Sequence, residues 1–248
     1  MSHGYSPLWR KMSIAILRPL LYLLLKRDWR GKRNVPGEGG VIIAANHLSW
    51  ADPLALAHFV YESGRYPVYL AKSPLFDAKV VGPVLRNTGQ IPVFRDRADA
   101  GEALKAAEQA LRAGECLIFY PEGTCTRDPD QWPMTGQTGV ARLALATGAK
   151  VVPVAHWGAQ ELWPYGTKRI RLFPRKTMHV VAGPAVDLSG YAGRPIDKTV
   201  LRAATGEIMR AIAGLVGDLR GAEPPERPYD HHRAIQERRD KIKRERAS

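Results

Sequence analysis

Residues 40–62 read GVIIAANHLSWADPLALAHFVYE, and this stretch contains a strand, a turn and a helix in immediate succession. Its first part, GVIIAA, is uncharged and rich in β-branched residues, which predicts a buried strand. Its last part, PLALAHFVYE, predicts a helix. His47 and Asp52 therefore lie on the turn between the two elements.

Asp52 permits two interpretations. Aspartate is a good N-cap and proline is favoured just inside a helix, so Asp52 before Pro53 can serve as a cap alone, with His47 a loop residue bonded to backbone. Alternatively, the turn folds back so that the Asp52 carboxylate holds one imidazole nitrogen of His47 and leaves the other free to accept a proton. The local sequence leaves both interpretations open.

Strand-like and helix-like runs alternate along the rest of the chain. The predicted strands after the turn are PVYLAK, QIPVFR, CLIFYPEG, KVVPVAHWG, RIRLF and MHVVAG. The predicted helices are PLFDAKVVGPVLRNTG, ADAGEALKAAEQALRAG, TGVARLALATG and KTVLRAATGEIMRAIAGLVGDL. This alternation predicts an α/β fold with a largely parallel central sheet flanked by helices.

The length of 248 residues suits one main domain with a full hydrophobic core. We predict a basic and apolar N-terminal helical segment at 1–34, an α/β domain at 35–222 and a charged C-terminal tail at 223–248. The polar, proline-rich stretch GAEPPERPYDHH marks the exit from the domain.

The chain is strongly basic, with a formal net charge of +13 and a pI near 10.0. This charge indicates an anionic partner, which could be nucleic acid, anionic lipid or a phosphorylated substrate. The basic residues concentrate in the N-terminal segment, in GTKRIRLFPRK and in the tail. Nucleic-acid binding predicts a recognisable module or aromatic residues interleaved with the basic ones. The sequence shows neither, so lipid or substrate is favoured over nucleic acid.

The N-terminal run MSIAILRPLLYLLLKRDW suggests a membrane surface. Arg18 and Pro19 interrupt it and it ends at Lys26, short of the ~20 apolar residues that a spanning helix needs. No small-residue cleavage site follows, as a signal peptide would require. Flanking basic residues and nearby aromatic residues are typical of an interfacial helix, and the alternative is an ordinary buried first helix.

Two cysteines, Cys116 and Cys125, provide neither a disulfide framework nor metal-ligand spacing. This favours a reducing, cytosol-facing location. Together with the N-terminal run, it predicts a peripheral or monotopic protein at the cytoplasmic face of the cell membrane.

Polar residues follow three of the predicted strands. They are NHLSWAD after GVIIAA, Arg95 at the end of QIPVFR, and Glu122, Gly123 and Thr124 in YPEGT. Ligands gather at the carboxyl ends of strands in open α/β sheets, so these segments are expected to converge. Taken singly, Arg95 could be a surface arginine at a strand end, and PEGT could be a plain turn.

The order and spacing of these segments resemble the glycerolipid acyltransferase family, whose type member PlsC is a 1-acylglycerol-3-phosphate acyltransferase. NHLSWAD resembles the N-H-x4-D block of the family, GQIPVFR its second block, YPEGT its third and VVPVAHWG its fourth. AKSPLF resembles a family segment with a lysine at the place of Lys72. The resemblance covers roughly residues 40–184.

The resemblance implies a role for each site residue. His47 would be the general base and Asp52 its orienting partner. Arg95 would contact the acceptor phosphate, and Glu122, Gly123 and Thr124 would form part of the acceptor site. Lys72 would bind substrate phosphate or the developing oxyanion.

Two departures from the family pattern concern the acceptor. The family usually has arginine directly after EGT, whereas here Cys125 stands there and Arg127 follows two residues later, where it could supply the phosphate contact. A lysine is common before GVARLALATG, but this chain has Gln137 and Thr138. Another lysolipid, a glycolipid or an amino-acid-derived lipid is therefore an alternative acceptor.

The implied reaction is single-step acyl transfer from a thioester donor, acyl-CoA or acyl carrier protein, to a lysophospholipid hydroxyl. The sequence has no G-x-S-x-G elbow, metal cluster or glycine-rich phosphate loop. We therefore expect no covalent acyl-enzyme, no metal and no cofactor beyond the acyl carrier. A basic nucleic-acid-binding protein and an inactive, lipid-binding family member are the remaining alternatives, and the presence of both His47 and Asp52 disfavours the latter.

Overall fold

A computed structural model of the chain describes residues 4–93, 100–231 and 233–237. Within these ranges, seven strands form one sheet in the order β1-β7-β6-β2-β5-β3-β4. The strands are β1 Leu25–Arg30, β2 Val41–Ala45, β3 Pro67–Lys72, β4 Ile91–Val93, β5 Cys116–Phe119, β6 Lys150–Trp157 and β7 Lys176–Ala182. Every neighbouring pair is parallel except β6 and β7. The prediction of a largely parallel α/β sheet is confirmed.

Helices precede, separate and follow the strands along the chain. They are α1 Pro7–Leu24, α2 Asp52–Glu62, α3 Val81–Asn87, α4 Ala100–Arg112, α5 Gly139–Thr147, α6 Ala159–Leu162 and α7 Lys198–Arg220. The helix predicted across PLFDAKVVGPVLRNTG is reduced to a single 3-10 turn at Ser73–Phe76 followed by α3. Pro83 explains the late start of α3, because proline is tolerated only in the first turn of a helix.

The strand predicted across RIRLF is absent, and residues 169–173 form a loop between α6 and β7. β7 pairs with β6 on one side and with β1 on the other. Neither edge of β7 is free, so the residues that precede it have no partner there.

Strand β2 forms the centre of the core because its residues alternate between two buried faces. Ile42 and Ala44 face the cluster that contains α4, α5 and α7, whereas Val41, Ile43 and Ala45 face the cluster that contains α2. All five residues are fully buried. This explains why GVIIAA lacks the polar alternation of a half-exposed strand.

Helix α1 is attached to the body of the protein but is not buried in it. Only Arg10 and Leu21 of this helix are buried. The Arg10 guanidinium donates to both carboxylate oxygens of Glu115, at 3.1 and 3.3 Å, and its Nε donates to the carbonyl oxygen of Thr88. The alternative of an ordinary buried first helix does not match this arrangement.

The segment that we predicted as 1–34 also contributes to the sheet. Leu25–Arg30 forms β1 and pairs in parallel with β7, so this part of the segment belongs to the central sheet. None of the helices in the described ranges combines the length and apolar character needed to cross a bilayer.

Candidate active site

Four neighbouring strands bring polar residues to one edge of the sheet. His47 follows β2, Lys72 ends β3 and Glu122 follows β5. β6 runs parallel to β2 and brings His156 to the same edge. Arg95, predicted to end the strand QIPVFR, lies outside the described residues. The carboxyl edge of the parallel strands is therefore the candidate site.

His47 and Asp52 are in direct contact across the turn between β2 and α2. The distance from His47 Nδ1 to Asp52 Oδ2 is 2.7 Å, and the Asp52 side chain is fully buried. The backbone N–H groups of Leu48 and Ser49 donate to the same oxygen, at 2.6 and 2.8 Å. These three partners engage Oδ2, whereas Oδ1 has no hydrogen-bond partner among the described residues, so Oδ2 alone offsets the cost of burying the charge.

The Asp52 carboxylate points away from the helix that it begins. Asp52 is the first residue of α2, yet no side-chain hydrogen bond caps the start of this helix. The carboxylate accepts instead from residues 47–49, which precede α2. Of the two interpretations that the sequence leaves open, this geometry matches the one in which the turn folds back onto His47.

The contact with Asp52 leaves Nε2 of His47 as a proton acceptor. An ionised carboxylate only accepts hydrogen bonds, so Nδ1 carries the imidazole proton and Nε2 has the lone pair. The ring also stacks on Tyr120, with ring centroids 4.2 Å apart and planes inclined by 19°. The two contacts hold the ring in one orientation, which suits a general base.

The Cys125 thiol lies against this acceptor nitrogen. Its Sγ is 3.5 Å from His47 Nε2, and the residue is only 2% exposed. Burial raises the pKa of the thiol to about 12, so the group is a neutral thiol near pH 7. The thiolate is the nucleophilic form of cysteine. The pair therefore has the spacing of a nucleophile and a base but lacks an activated nucleophile.

Glu122 fixes the backbone of His47. Its Oε1 accepts from the His47 N–H at 2.8 Å, and its Oε2 accepts from the Met134 N–H at 3.0 Å. The Thr126 N–H donates to the His47 carbonyl oxygen at 2.7 Å. Burial raises the pKa of Glu122 to about 8. Both of its carboxylate oxygens contact backbone, whereas the family resemblance places Glu122 in the acceptor site.

Asn46 and His156 join the ends of β2 and β6. The Asn46 Nδ2 donates to the His156 carbonyl oxygen at 3.0 Å, and the His156 N–H donates to the Asn46 Oδ1 at 2.9 Å. The His156 Nε2 donates to the Asn46 carbonyl oxygen at 2.5 Å and lies 3.7 Å from Asp52 Oδ2. Burial lowers the pKa of His156 and keeps its ring neutral. This pair fixes the residue that precedes His47.

The YPEGT segment, which resembles the third block of the family, forms a tight turn next to His47 and Asp52. Gly123 has a φ of 70°, in the left-handed region that favours glycine, and its N–H donates to the Tyr120 carbonyl oxygen at 3.0 Å. Thr124 is half-buried on the same turn, and Lys72 is exposed at the end of β3, the neighbour of β5. The positive charge of Lys72 acts to lower the pKa of Cys125, against the larger effect of burial.

Arg127 lines a cleft next to this turn. The cleft has a volume of about 250 Å³ and is also lined by Leu48, Thr126 and Gln160. The Arg127 guanidinium lies over the Tyr165 ring, 4.1 Å from its centroid, and hydrogen-bonds to the Tyr165 hydroxyl. A guanidinium carries further N–H donors, which suit an anionic group in the cleft.

Sequence reasoning does not single out Asn46, Tyr120 or His156, although each lies within or next to a block of the family. Their roles depend on partners far away in the chain, since Asn46 and His156 are 110 residues apart. One signal was present. Asn46 and His156 are polar residues at the ends of apolar strands, where a buried side chain must have a hydrogen-bond partner.

Comparison with known proteins gives consistent results. The family model described as Acyltransferase matches residues 26–157, more than half of the chain. The chloroplastic 1-acyl-sn-glycerol-3-phosphate acyltransferase BAT2 of Brassica napus is 27% identical over 170 residues, covering 68% of this chain and 46% of that protein. The 1-acyl-sn-glycerol-3-phosphate acyltransferase of Bacillus subtilis is 29% identical over 189 residues, covering 76% of this chain and 87% of that protein.

The fold is shared with a solved structure. The crystal structure of the 1-acyl-sn-glycerophosphate acyltransferase PlsC from Thermotoga maritima matches with a TM-score of 0.66 and 23% identity. The match covers 87% of this chain and 81% of that one. The chain spans less than half of the Brassica relative but most of the bacterial proteins.

The tautomers of the two site histidines can be measured. We expect nitrogen-15 NMR to show His47 with its proton on Nδ1, and His156 as a neutral ring with its proton on Nε2 that becomes charged only at a lower pH than an unperturbed histidine. Burial, which lowers the pKa of His156, is the reason. Spectra of His47→Gln and His156→Gln assign the signals. Protonation of His156 with an ordinary pKa would contradict the buried pair.

Thiol reactivity distinguishes a buried cysteine from an activated one. Both thiols should react slowly with a disulfide reagent in the folded protein at mildly alkaline pH, because burial raises the pKa of Cys116 and of Cys125 to about 12. Both should react at once after unfolding in guanidinium. A fast reaction in the folded protein that disappears in Cys125→Ala would show that His47 activates this thiol.

Proposed function

The chain belongs to the acyltransferase family, and we propose that it transfers a fatty acyl group from a thioester donor to the free sn-2 hydroxyl of 1-acylglycerol-3-phosphate, making phosphatidic acid. The donor is acyl-CoA or acyl carrier protein, and the reaction uses no further cofactor. The observation that carries this proposal is the 2.7 Å contact between His47 and Asp52, which leaves Nε2 as the acceptor. The activity named for the Brassica and Bacillus relatives supports the choice of acceptor.

In the proposed mechanism, His47 Nε2 takes the proton of the acceptor hydroxyl while the hydroxyl oxygen attacks the thioester carbonyl carbon. The tetrahedral intermediate collapses by breaking the carbon–sulfur bond, and the imidazolium returns the proton to the leaving thiolate. Asp52 stabilises the imidazolium and keeps the ring in the reactive tautomer. Positioned acid–base catalysis of this kind contributes ~10²–10⁴-fold.

The proposed site supplies positive charge from several residues. Arg127 binds the acceptor phosphate from the cleft, next to the turn that carries Gly123 and Thr124. Lys72, exposed at the end of β3, binds a substrate phosphate or the oxyanion. Arg95 contributes a second phosphate contact, as the family resemblance implies. Glu122 acts by holding His47, because both of its oxygens are engaged by backbone.

The same site supports a second candidate acceptor, another lysolipid or a glycolipid. The observation that favours it is the position of Arg127, whose guanidinium stacks on Tyr165 while Cys125 faces His47 Nε2. In the family the residue after EGT is usually arginine. Here the positive charge stands two residues later, on Arg127. Such a displacement changes which headgroup fits while the His47–Asp52 chemistry stays the same.

We also propose peripheral attachment to the cytoplasmic face of the cell membrane through α1. The exposed residues Leu8, Met12, Ile16, Leu20 and Leu23 form an apolar stripe on this helix, spaced three or four residues apart. Lys11 and Arg18 flank the stripe and suit an anionic lipid surface. An acceptor with one long acyl chain resides in that surface.

Acyl transfer tests the proposed reaction directly. We expect labelled acyl groups to pass from acyl-CoA or acyl carrier protein to lysophosphatidate, and His47→Ala and Asp52→Asn to reduce the rate on the order of 10²–10⁴-fold. His179→Ala is the matched control, because His179 makes a similar contact with Asp28, 2.8 Å long, on β7, which lies two strands from β2. Transfer only to another lysolipid would show that lysophosphatidate is not the acceptor. An unchanged transfer rate in His47→Ala would reject the mechanism.

Vesicle binding tests the role of α1. The double substitution Ile16→Ser and Leu23→Ser removes two side chains that are 64% and 70% exposed, so the fold should be retained. Burying each of these side chains in lipid is worth up to ~1.5–3 kcal/mol, so binding to anionic vesicles should weaken at least tenfold. Ile235→Ser in the C-terminal region is the control. Unchanged sedimentation of the double variant with vesicles would reject α1 as the anchor.

A further inference from the structure

Residues 166–175, here called the basic loop, form most of the connection from α6 to β7 and expose an unusual combination of side chains. Phe173 is 78% exposed, Ile170 52% and Leu172 38%. Large apolar side chains that cluster on a surface indicate an interaction site, whereas single exposed ones are common on any protein. These are the same residues that the sequence predicts as a strand.

Cations alternate with the apolar residues of the basic loop. The sequence GTKRIRLFPR contains Lys168, Arg169, Arg171 and Arg175 and no acidic residue. All four of these residues are exposed. Apolar and cationic groups in one short segment match the two layers of an anionic membrane surface, where headgroups attract the cations and the acyl boundary takes up the apolar groups.

The residues that lead into the basic loop lie at the candidate site. The Ser49 hydroxyl, on the turn between His47 and Asp52, donates to the Trp163 carbonyl oxygen at 2.6 Å. Two residues further on, Tyr165 contacts both Arg127 and the half-exposed Trp50. The basic loop therefore follows directly after Tyr165, which lines the proposed acceptor cleft.

The basic loop ends at α1. The Arg175 guanidinium donates to the carbonyl oxygens of Tyr22 and Leu25, at 2.7 and 2.9 Å, where α1 ends and β1 begins. The exposed stripe of α1 ends nearby, with Leu23. The loop thus joins the proposed anchor helix to the edge of the site.

We propose that the basic loop is a second membrane contact, in which Phe173 and Ile170 enter the interface of an anionic bilayer and Lys168, Arg169 and Arg171 bind its phosphates. This inference rests on the membrane attachment proposed for α1. It adds that the surface between α1 and the turn carrying His47 lies against the lipid. A lysolipid acceptor then enters the site from the membrane at this edge.

A polarity-sensitive fluorophore tests the contact. The dye is attached to Phe173→Cys, to Leu23→Cys in α1 and to Ile196→Cys before α7, each in the full chain, where the native thiols Cys116 and Cys125 are buried. We expect vesicles of phosphatidylglycerol and phosphatidylcholine to shift the emission to the blue at positions 173 and 23 but not at 196. Ile196 is 42% exposed, and α7 packs on the opposite face of the sheet from α2.

Substitutions measure the strength of the contact. Replacing Lys168 and Arg169 by glutamate should weaken vesicle binding by at least twentyfold, since neutralising each basic residue alone costs about fivefold on an anionic surface. The matched control replaces Lys198 and Arg202, which are exposed on α7, by glutamate. It should weaken vesicle binding less than the loop variant does. Ile170→Ser with Phe173→Ser should weaken binding roughly tenfold or more, against little change for Ile196→Ser. Circular dichroism checks that each variant is folded.

The outcomes separate this inference from the proposed function. A blue shift at position 23 without one at 173 would overturn the basic loop as a membrane contact while keeping α1. Loop variants that bind vesicles normally but lose binding to an oligonucleotide would overturn it in favour of nucleic acid. Absence of a shift at both positions would overturn the membrane attachment as a whole. Wild-type transfer to a short-chain, water-soluble lysophosphatidate tests the catalytic proposal independently of all three results.

Discussion

A single carboxylate oxygen organises the candidate site. Asp52 Oδ2 contacts the His47 ring and the backbone N–H groups of Leu48 and Ser49, in a side chain that solvent does not reach. Because a buried carboxylate is costly without such partners, the turn after β2 has little freedom to adopt another conformation. Orientation of the ring and conformation of the turn are consequences of the same three contacts.

The neighbouring elements hold this turn from both sides. Glu122 and Thr126, which follow β5, bind the backbone N–H and carbonyl of His47. Asn46 and His156 connect the start of the turn to β6. The two buried carboxyl groups therefore have different tasks, although each accepts from backbone. Asp52 contacts the imidazole, whereas Glu122 contacts the backbone of His47 and of Met134.

Sequence reasoning succeeds where a property is local and fails where it depends on distant partners. GVIIAA and the alternation that follows it are sufficient to predict the α/β sheet. Because ligands bind at the carboxyl ends of parallel strands, the sequence also predicts that His47 and the PEGT turn lie at one edge. RIRLF alternates charged and apolar residues like a strand, but the edges of β7 are already occupied. The contact of Glu122 with backbone and the pairing of Asn46 with His156 depend on the registers of β2, β5 and β6, which no local pattern encodes.

The junction between Leu24 and Leu25 has a mechanical consequence. α1 ends and β1 begins at consecutive residues, and β1 is hydrogen-bonded along β7. With no linker between them, the helix cannot swivel independently of the sheet. A surface that holds the helix therefore also sets the tilt of the sheet and the direction that its carboxyl edge faces. A flexible tether would only keep a protein near such a surface, whereas this junction would also fix its orientation there, which is what the proposed membrane attachment requires.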